Sequence, residues 1–312
     1  MLIYRDRFVS MEVNTFLVGA SKSGTTSLSN ILSDHPEICM CPIKEPNYFS
    51  DDLPQDVFSE SHANNLDEYH KLWTNLEKGH SLVCEASVGY FYSENAAQNI
   101  RNYNPRAKIL VILRHPLRRL VSAHALRLNS GNEDVDNVVE AYKLDAPRMN
   151  GESLPKGCSN FRPYRKMMDY PSQIERYLEA FGKSQVHIVI MEDLVNDRAR
   201  ELERLWGFLD VSKREIRDLP HQNKRKGVRS KIALSVMSPN SFLVRRLYVP
   251  LRRFRIVKWF GGRIRRLNLK QITSSEFGDD DREYLENEFR EMVSRTESIT
   301  GIDLKSRWSG FS

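Results

Sequence analysis

The sequence predicts an α/β fold in three layers, with helices on both faces of a central, mostly parallel sheet. Three observations support this prediction. Apolar runs without polar alternation recur along the chain, as expected of strands that are buried on both faces. Amphipathic helical patterns lie between these runs, and parallel strands need such connections. The chain has 312 residues, 40% of them hydrophobic, which is enough to build a large core.

Four apolar segments are the candidate strands. Their ranges are 15–20 (TFLVGA), 81–87 (SLVCEAS), 108–114 (KILVILR) and 185–191 (QVHIVIM). Helical spacing of apolar residues then appears in two stretches, at Ile174, Tyr177, Leu178 and Phe181, and at Leu202, Leu205, Trp206 and Leu209. This alternation predicts βαβ units with a ligand at the carboxyl ends of the strands.

A last amphipathic helix is predicted near the carboxyl end. It places Leu285, Phe289, Met292 and Ile299 on one face and ends at Gly301. We expect a single domain over residues 1–312. Its core would cover about 13–235, and a basic, helical extension would cover about 236–312.

Positive charge is concentrated in one segment. Residues 219–275 hold 15 of the 47 Lys and Arg residues and none of the 41 Asp and Glu residues. Within it, residues 242–267 interleave arginines with apolar side chains. They fit a peripheral contact with an anionic membrane, a surface for an anionic acceptor, or helices with solvated arginines. A nucleic-acid partner is not expected, because the basic residues do not form stripes elsewhere in the chain.

Composition also bears on compartment and metals. The four cysteines lack the paired spacing of a metal site and the density of a disulfide scaffold. The histidines form no cluster with metal-ligand spacing. No apolar run approaches the roughly 18 residues that a membrane span needs. We therefore expect a cytoplasmic protein with free thiols, membrane-peripheral if residues 242–267 bind lipid, and no bound metal.

The stretch "FLVGASKSGTTSL" (16–28) predicts an anion site. It joins a buried strand to a helix through small residues, which leaves backbone N–H groups at the positive end of the helix dipole. Lys22 would add a point charge, and Thr25 and Thr26 would add hydroxyl donors. The candidate anion-binding residues are Lys22, Ser23, Gly24, Thr25, Thr26 and Ser27.

The same loop departs from a nucleotide-binding P-loop. Gly19 and Gly24 have the P-loop glycine spacing, but Thr25 stands where the lysine belongs. Arg114 and Glu85 end the strands that would otherwise supply a metal-binding aspartate. The anion would then be held without a metal. A Mg-dependent P-loop kinase acting on a small molecule is one alternative, and a non-catalytic module that binds anions or a membrane surface is another.

The loop resembles the 5′-phosphosulfate loop of sulfotransferases that use 3′-phosphoadenosine 5′-phosphosulfate (PAPS). Five further stretches are similar to that family in order, at 35–49, 85–91, 109–124, 170–181 and 186–197. The chain thus looks like a bacterial member related to the heparan sulfate and carbohydrate sulfotransferases. The resemblance implies a P-loop-like core, PAPS as sulfuryl donor without a metal, and transfer to a hydroxyl or amine. The acceptor would be a small molecule, a carbohydrate or a lipid.

The resemblance also assigns roles in PAPS binding. Arg114 and Ser122, the latter in a helix that begins near Pro116, would bind the 3′-phosphate. The basic stretch 221–231 would be a flexible loop that closes over the nucleotide. From that loop we expect Lys226, Gly227 and Arg229 to contact it.

The catalytic hypothesis names three residues. Glu85, partly desolvated and facing the same crevice as the loop, would be the general base for in-line attack on sulfur. Lys44 and Lys22 would stabilise the oxygen that leaves. Glu45 is expected to have only a structural role as an ion-pair partner of Lys44. The region 130–165 is expected to line the acceptor pocket.

Overall fold

A computed structural model describes residues 12–53, 63–155, 161–215, 226–228, 269–271 and 277–311. The chain forms two compact units. The first comprises residues 1–115, 169–222 and 292–312, and the second comprises residues 116–168 and 223–291. The single domain that the sequence predicts over residues 1–312 stays a prediction.

The first unit is built around a five-stranded parallel sheet. Its strands are β1 (Thr15–Gly19), β2 (Ile38–Met40), β3 (Leu82–Ala86), β4 (Lys108–Leu113) and β5 (Val186–Ile190). Their spatial order is β2-β3-β1-β4-β5. Four of them coincide with the predicted apolar segments. The short strand β2 is not among the predicted strands.

Helices occur in both units, and in the first unit they connect the strands and flank the sheet. In chain order they are α1 (Thr25–Ser33), α2 (Leu66–His70), α3 (Gly89–Tyr92), α4 (Ala96–Tyr103), α5 (Pro116–Ser130), α6 (Val138–Lys143), α7 (Asp145–Met149), α8 (Tyr164–Met168), α9 (Tyr170–Phe181), α10 (Met191–Asn196), α11 (Arg198–Leu209) and α12 (Asp279–Thr300). The predicted three-layer α/β/α, P-loop-like fold is thereby confirmed.

Alternate side chains of each strand are buried on opposite faces of the sheet. One face packs against α1 and α11, with Leu17, Leu110 and Ile112 among the side chains from the strands. The other face carries Phe16, which contacts the rings of Phe49 and Tyr103 edge-on. Burial on both faces explains why the strands read as continuous apolar runs.

The second unit is held by a buried ion pair. Arg148 binds Glu133 through both terminal nitrogens, at 2.7 and 2.8 Å, and Tyr164 donates a hydrogen bond to the same carboxylate. A bidentate geometry with a third donor satisfies both charges, as a buried pair requires. This unit also contains β6 (Lys226–Val228) and β7 (Leu269–Gln271), which pair in antiparallel fashion.

The helix α12 confirms the prediction of a terminal amphipathic helix, but its buried face differs from the predicted one. Leu285 and Phe289 are buried as predicted, but the next fully buried positions are Val293 and Thr296. Met292 is only half-buried. The buried stripe therefore follows i, i+4, i+8 and i+11, which keeps to the face of a straight helix with 3.6 residues per turn.

Three cysteines fall in the described part of the chain, and all three thiols are free. Cys39 and Cys84 are buried, and burial raises the pKa of Cys39 to about 11. Cys158 lies outside the described residues. No helix in the described ranges is long and apolar enough to cross a membrane.

Candidate active site

The loop between β1 and α1 has a backbone that suits an anion. Gly24 precedes the helix with φ 106°, and no side chain caps the first turn. Lys22 has φ 66°, also in the left-handed region. A Cβ atom at Gly24 would lie 2.5 Å from the sulfur of Met191, so both backbone angle and space favour glycine there. The first-turn N–H groups thus have no side-chain oxygen as a competing acceptor.

Ser23 carries an unsatisfied buried polar atom in this loop. Its side chain is 0% exposed, and across the residues that the structure describes its Oγ has no hydrogen-bond partner. A buried hydroxyl without a partner costs free energy, and a bound ion is one of the groups that can satisfy it. The sequence-predicted anion loop therefore fits the phosphosulfate end of PAPS.

Three cationic side chains gather at the loop. Arg114 Nη1 donates to the backbone oxygen of Lys22 at 3.3 Å, and Lys44 Nζ lies 3.5 Å from Thr26 Oγ1. Burial lowers the pKa of Lys22, and the charges of Lys44 and Arg114 lower it further. Glu45 opposes that effect. Like charges in a partly desolvated place repel each other, so an anion bound among them would be strongly stabilised.

Arg114 is fixed at the end of β4 by a tyrosine. Tyr170 donates to the Arg114 backbone oxygen at 2.7 Å, and its hydroxyl also accepts from the Arg114 backbone nitrogen at 3.4 Å. Tyr170 is itself buried, with its ring 6.1 Å from that of Trp308. Tyr170 lies 56 residues from Arg114 in the chain, so no local pattern in the sequence indicates that the two are in contact.

Glu85 differs from the expectation of a partly desolvated, crevice-facing carboxylate. Its side chain is 0% exposed. Ser87 Oγ donates to Glu85 Oε1 at 2.6 Å, and the Tyr69 hydroxyl donates to Oε2. Burial raises the pKa of Glu85 while these hydrogen bonds oppose the rise. The physical reason is that β3 continues to Ala86, so Glu85 lies inside the strand and projects into the layer of buried aromatic side chains.

Glu45 is the carboxylate that lies among the cations. It is 3.8 Å from Lys44 Nζ, its side chain is 34% exposed, and it raises the pKa of Lys22. Its φ of 54° is in the left-handed region. From the sequence, only a structural role is expected for Glu45. A role in the site is indicated in the sequence only by its position directly after Lys44 in the stretch 35–49.

The remaining predicted residues lie in the second unit or outside the described residues. Ser122 is half-buried on α5, so its pairing with Arg114 on one phosphate stays a prediction. Lys226 and Gly227 are corrected from a flexible loop to the strand β6. Their partner strand begins more than 40 residues further on, so the local sequence does not show the pairing. Arg229 and the segment 242–267 lie outside the described residues.

No group of three His, Cys, Asp or Glu side chains is arranged to hold a metal ion within the described ranges. The expectation that the protein works without a metal stays a prediction, because only a measurement of the reaction with and without metal ions can test it.

The sheet, the loop and the gathered cations define an α/β protein with a candidate anion site at the carboxyl ends of its strands. Comparison with known proteins identifies which kind. A family model for the sulfotransferase domain matches residues 12–238. The chain therefore belongs to the sulfotransferase family.

Relatives of this chain include enzymes that act on carbohydrates. It is 26% identical over 200 residues to the heparan sulfate glucosamine 3-O-sulfotransferase 5 of Mus musculus, with 64% of this chain and 53% of the relative covered. It is 25% identical over 244 residues to the carbohydrate sulfotransferase 15 of Rattus norvegicus, with 63% and 43% covered. The chain thus spans about half the length of the curated relatives that it matches.

Among solved structures, a sulfotransferase from Alicyclobacillus acidocaldarius has a similar fold. The TM-score is 0.67 at 26% identity, with 95% of this chain and 98% of that chain covered.

Proposed function

We propose that this enzyme transfers a sulfuryl group from PAPS to a hydroxyl or amine of an acceptor. The observation that carries the proposal is the convergence of Lys22, Lys44 and Arg114 at the uncapped start of α1. Family membership supports sulfuryl transfer. The donor, the acceptor and the roles of individual residues are our proposal.

The residues of the β1–α1 loop would hold the 5′ end of the donor. Lys22, the Ser23 hydroxyl and the N–H groups of residues 24–27 offer positive charge and hydrogen bonds at one place. Arg114 is proposed for the 3′-phosphate together with Ser122. Lys226, Gly227 and Arg229 remain proposed contacts to the nucleotide from the resemblance alone.

PAPS, when bound, supplies the activated sulfuryl group. Lys22 and Lys44 would stabilise the negative charge that develops on the leaving oxygen, and the partial burial of Lys22 strengthens its effect. The acceptor attacks in line, on the side of sulfur opposite to the leaving adenosine 3′,5′-bisphosphate. The acceptor must lose a proton, so a general base has to reach it, and a carboxylate is suited to that role.

Two carboxylates are candidates for this proton transfer. The sequence-based hypothesis is Glu85, whose raised pKa suits a base but whose side chain is fully buried. The geometry favours Glu45 as a second candidate, because it is partly exposed and adjacent to Lys44. Both belong to the first unit.

A matched pair of variants decides between them. Glu45→Gln and Glu85→Gln keep nearly the same volume and remove one charge each. The base should lose about 100-fold or more in kcat while the variant still binds adenosine 3′,5′-bisphosphate. If neither variant loses kcat, both base assignments fail.

We propose a carbohydrate or glycolipid-like acceptor, because the curated relatives are carbohydrate sulfotransferases by name. A small hydroxylated molecule or a lipid headgroup has the same reacting group. A cytoplasmic location, with membrane contact through residues 242–267, is likewise proposed from sequence alone. The test is transfer of label from ³⁵S-PAPS to a panel of oligosaccharides, glycolipids and small alcohols.

Nucleotide binding separates this proposal from a P-loop kinase. Adenosine 3′,5′-bisphosphate without metal should raise the melting temperature, since a ligand at 100 times its Kd stabilises by about 2.7 kcal/mol. Stabilisation by ATP with Mg²⁺, and none by the bisphosphate, would instead indicate a kinase. Liposome binding that survives Lys22→Ala, without any sulfuryl transfer, would indicate a non-catalytic surface module.

A further inference from the structure

The buried carboxylate of Glu85 is the centre of a hydrogen-bonded cluster. Its two oxygens accept from Ser87 Oγ and from the Tyr69 hydroxyl, and the Tyr90 hydroxyl is a third polar group beside it. Burial and the charge of Glu85 raise the pKa of Tyr69 well above its usual value, so the hydroxyl keeps its proton and donates. All four side chains are 0% exposed.

The same hydroxyl groups also hold a neighbouring loop, residues 43–50. The backbone nitrogen of Asn47 donates to Ser87 Oγ at 3.0 Å, and that of Phe49 donates to the Tyr90 hydroxyl at 3.2 Å. The ring of Tyr48 stacks on that of Tyr69, with centroids 4.7 Å apart. The hydroxyls of Ser87 and Tyr90 therefore link the carboxylate to the loop, and Tyr69 contacts the loop through its ring.

This loop needs such anchoring because its backbone is strained. Glu45 has φ 54°, a left-handed conformation that costs such a residue about 1–2 kcal/mol, and Asn47 has the same φ, which asparagine tolerates better. Further backbone support comes from Glu45 itself, whose nitrogen donates to Ala86 at 3.2 Å. In this backbone conformation Lys44 Nζ lies 3.5 Å from Thr26 Oγ1, and Glu45 lies beside Lys44 and near Lys22 of the β1–α1 loop.

We propose that Ser87, Tyr69 and Tyr90, organised around the buried carboxylate of Glu85, are positioning residues that fix the loop bearing Lys44 and Glu45. The proposal rests on the proposed function for its catalytic consequence, but the anchoring itself can be measured without turnover. The cluster would do so whichever of the two carboxylates is the base.

The test uses Ser87→Ala and Tyr90→Phe in the full chain. Amide hydrogen exchange of residues 43–50 should become about fivefold to tenfold faster, because each variant removes an acceptor for a loop N–H group. In a turnover assay kcat should fall about tenfold or more, while the KM for PAPS and the Kd for adenosine 3′,5′-bisphosphate stay within about twofold.

Tyr103→Phe is the matched control. Its hydroxyl accepts from the Val13 nitrogen at 3.0 Å and lies 2.8 Å from His70 Nε2, and its ring belongs to the same aromatic cluster, 5.1 Å from Phe49. It should lower the melting temperature as the other two variants do. It should leave loop exchange and kcat unchanged.

Three results bear on the proposal. Faster exchange in both variants but not in the control supports the anchoring, even if no acceptor in the panel is turned over, in which case only the proposed function fails. Unchanged loop exchange in both variants overturns it. The proposal is also overturned if kcat falls while loop exchange is unchanged and, in Tyr69→Phe, the acidic limb of the pH profile of kcat moves to higher pH. In that case Glu85 would act as a titrating group in catalysis and not by holding the loop.

Discussion

At the scale of single residues, Lys22 is the clearest test of the anion site. Its charge is partly desolvated beside Lys44 and Arg114, so a bound anion relieves their repulsion. Lys22→Ala should weaken binding of adenosine 3′,5′-bisphosphate by about 10–100-fold, as expected for a hydrogen bond to a charged group. Isothermal titration calorimetry measures the change. Lys78→Ala, at an exposed position of the same unit, is the control and should bind normally.

Asp145 predicts a pH dependence of stability. Burial raises the pKa of this carboxyl group to about 6, against the charges of Arg127 and Arg165 and a 2.6 Å hydrogen bond from the Arg165 nitrogen. A raised pKa in the folded state means that the folded state binds the proton more tightly. The stabilisation is therefore complete below about pH 4 and is lost as the pH rises through about 6.

The size of this effect can be measured with Asp145→Asn. A shift of this size corresponds to about 3 kcal/mol, so the wild type should lose up to that amount between pH 4 and 7 relative to the variant. Urea denaturation at several pH values gives the slope. Glu152→Gln, at an exposed position of the same unit, should keep the wild-type slope. Equal slopes in all three proteins would contradict the assignment.

Of the features of the candidate site, the directions and contacts of single side chains could be predicted least well from the sequence. Side chains alternate between faces along a strand, so Glu85 points away from the face on which Cys84 packs with α1, but the sequence does not show what covers the opposite face. The contacts of Glu85 with Tyr69 and Ser87 depend on tertiary packing. The positions of Lys22 and Thr26 between β1 and the first turn of α1 were predictable because they follow from a contiguous strand–loop–helix pattern, and their roles stay a prediction.

At the scale of secondary structure, two glycine-to-alanine substitutions test whether the residue before α1 must be glycine. Gly24→Ala imposes a side chain at φ 106°, with its Cβ 2.5 Å from the Met191 sulfur, so it should lower the free energy of unfolding by about 1–2 kcal/mol. It should also weaken binding of the bisphosphate. Gly207→Ala, in α11 with nothing within 4 Å of the new Cβ, should stabilise by about 0.5–1 kcal/mol. Thermal unfolding compares the two, and equal shifts would contradict a special role for Gly24.

The elements themselves were largely predictable. β1, β3 and β4 are buried on both faces, and strands buried in this way have apolar runs in their sequence. β5 lies at the sheet edge and is buried only at Val189 and Ile190, but its sequence is still rich in apolar residues. β2 was missed because it has three residues and forms the sheet edge beside β3. β6 was missed because its pairing is non-local and its basic sequence reads as a solvated loop.

At the scale of the whole molecule, the carboxyl-terminal residues complete the first unit. Trp308 is 0% exposed and donates from Nε1 to Glu192 at 3.0 Å. The next residue, Ser309, lies with its backbone oxygen 2.9 Å from His115 Nε2. The end of the chain is thus packed where β4 and β5 end.

Trp308→Ala should therefore lower the free energy of unfolding by about 3–5 kcal/mol, the usual cost of emptying so large a buried site. Trp308→Phe keeps most of the volume and loses the bond to Glu192, so it should cost much less. Guanidinium denaturation measures both. Because Tyr170 links Trp308 to the backbone of Arg114, bisphosphate binding should weaken in Trp308→Ala. Full stability in that variant would show that the terminal segment is dispensable.

The strand order also has a consequence for synthesis on the ribosome. β1 is the central strand of the sheet, yet it is made first, and its partners β3 and β4 are Leu82–Ala86 and Lys108–Leu113. At about 5–20 residues per second, its apolar segment emerges several seconds before either partner exists. The nascent chain therefore carries an unpaired apolar segment that chaperones are suited to cover, and fast translation of residues 20–113 should favour soluble product.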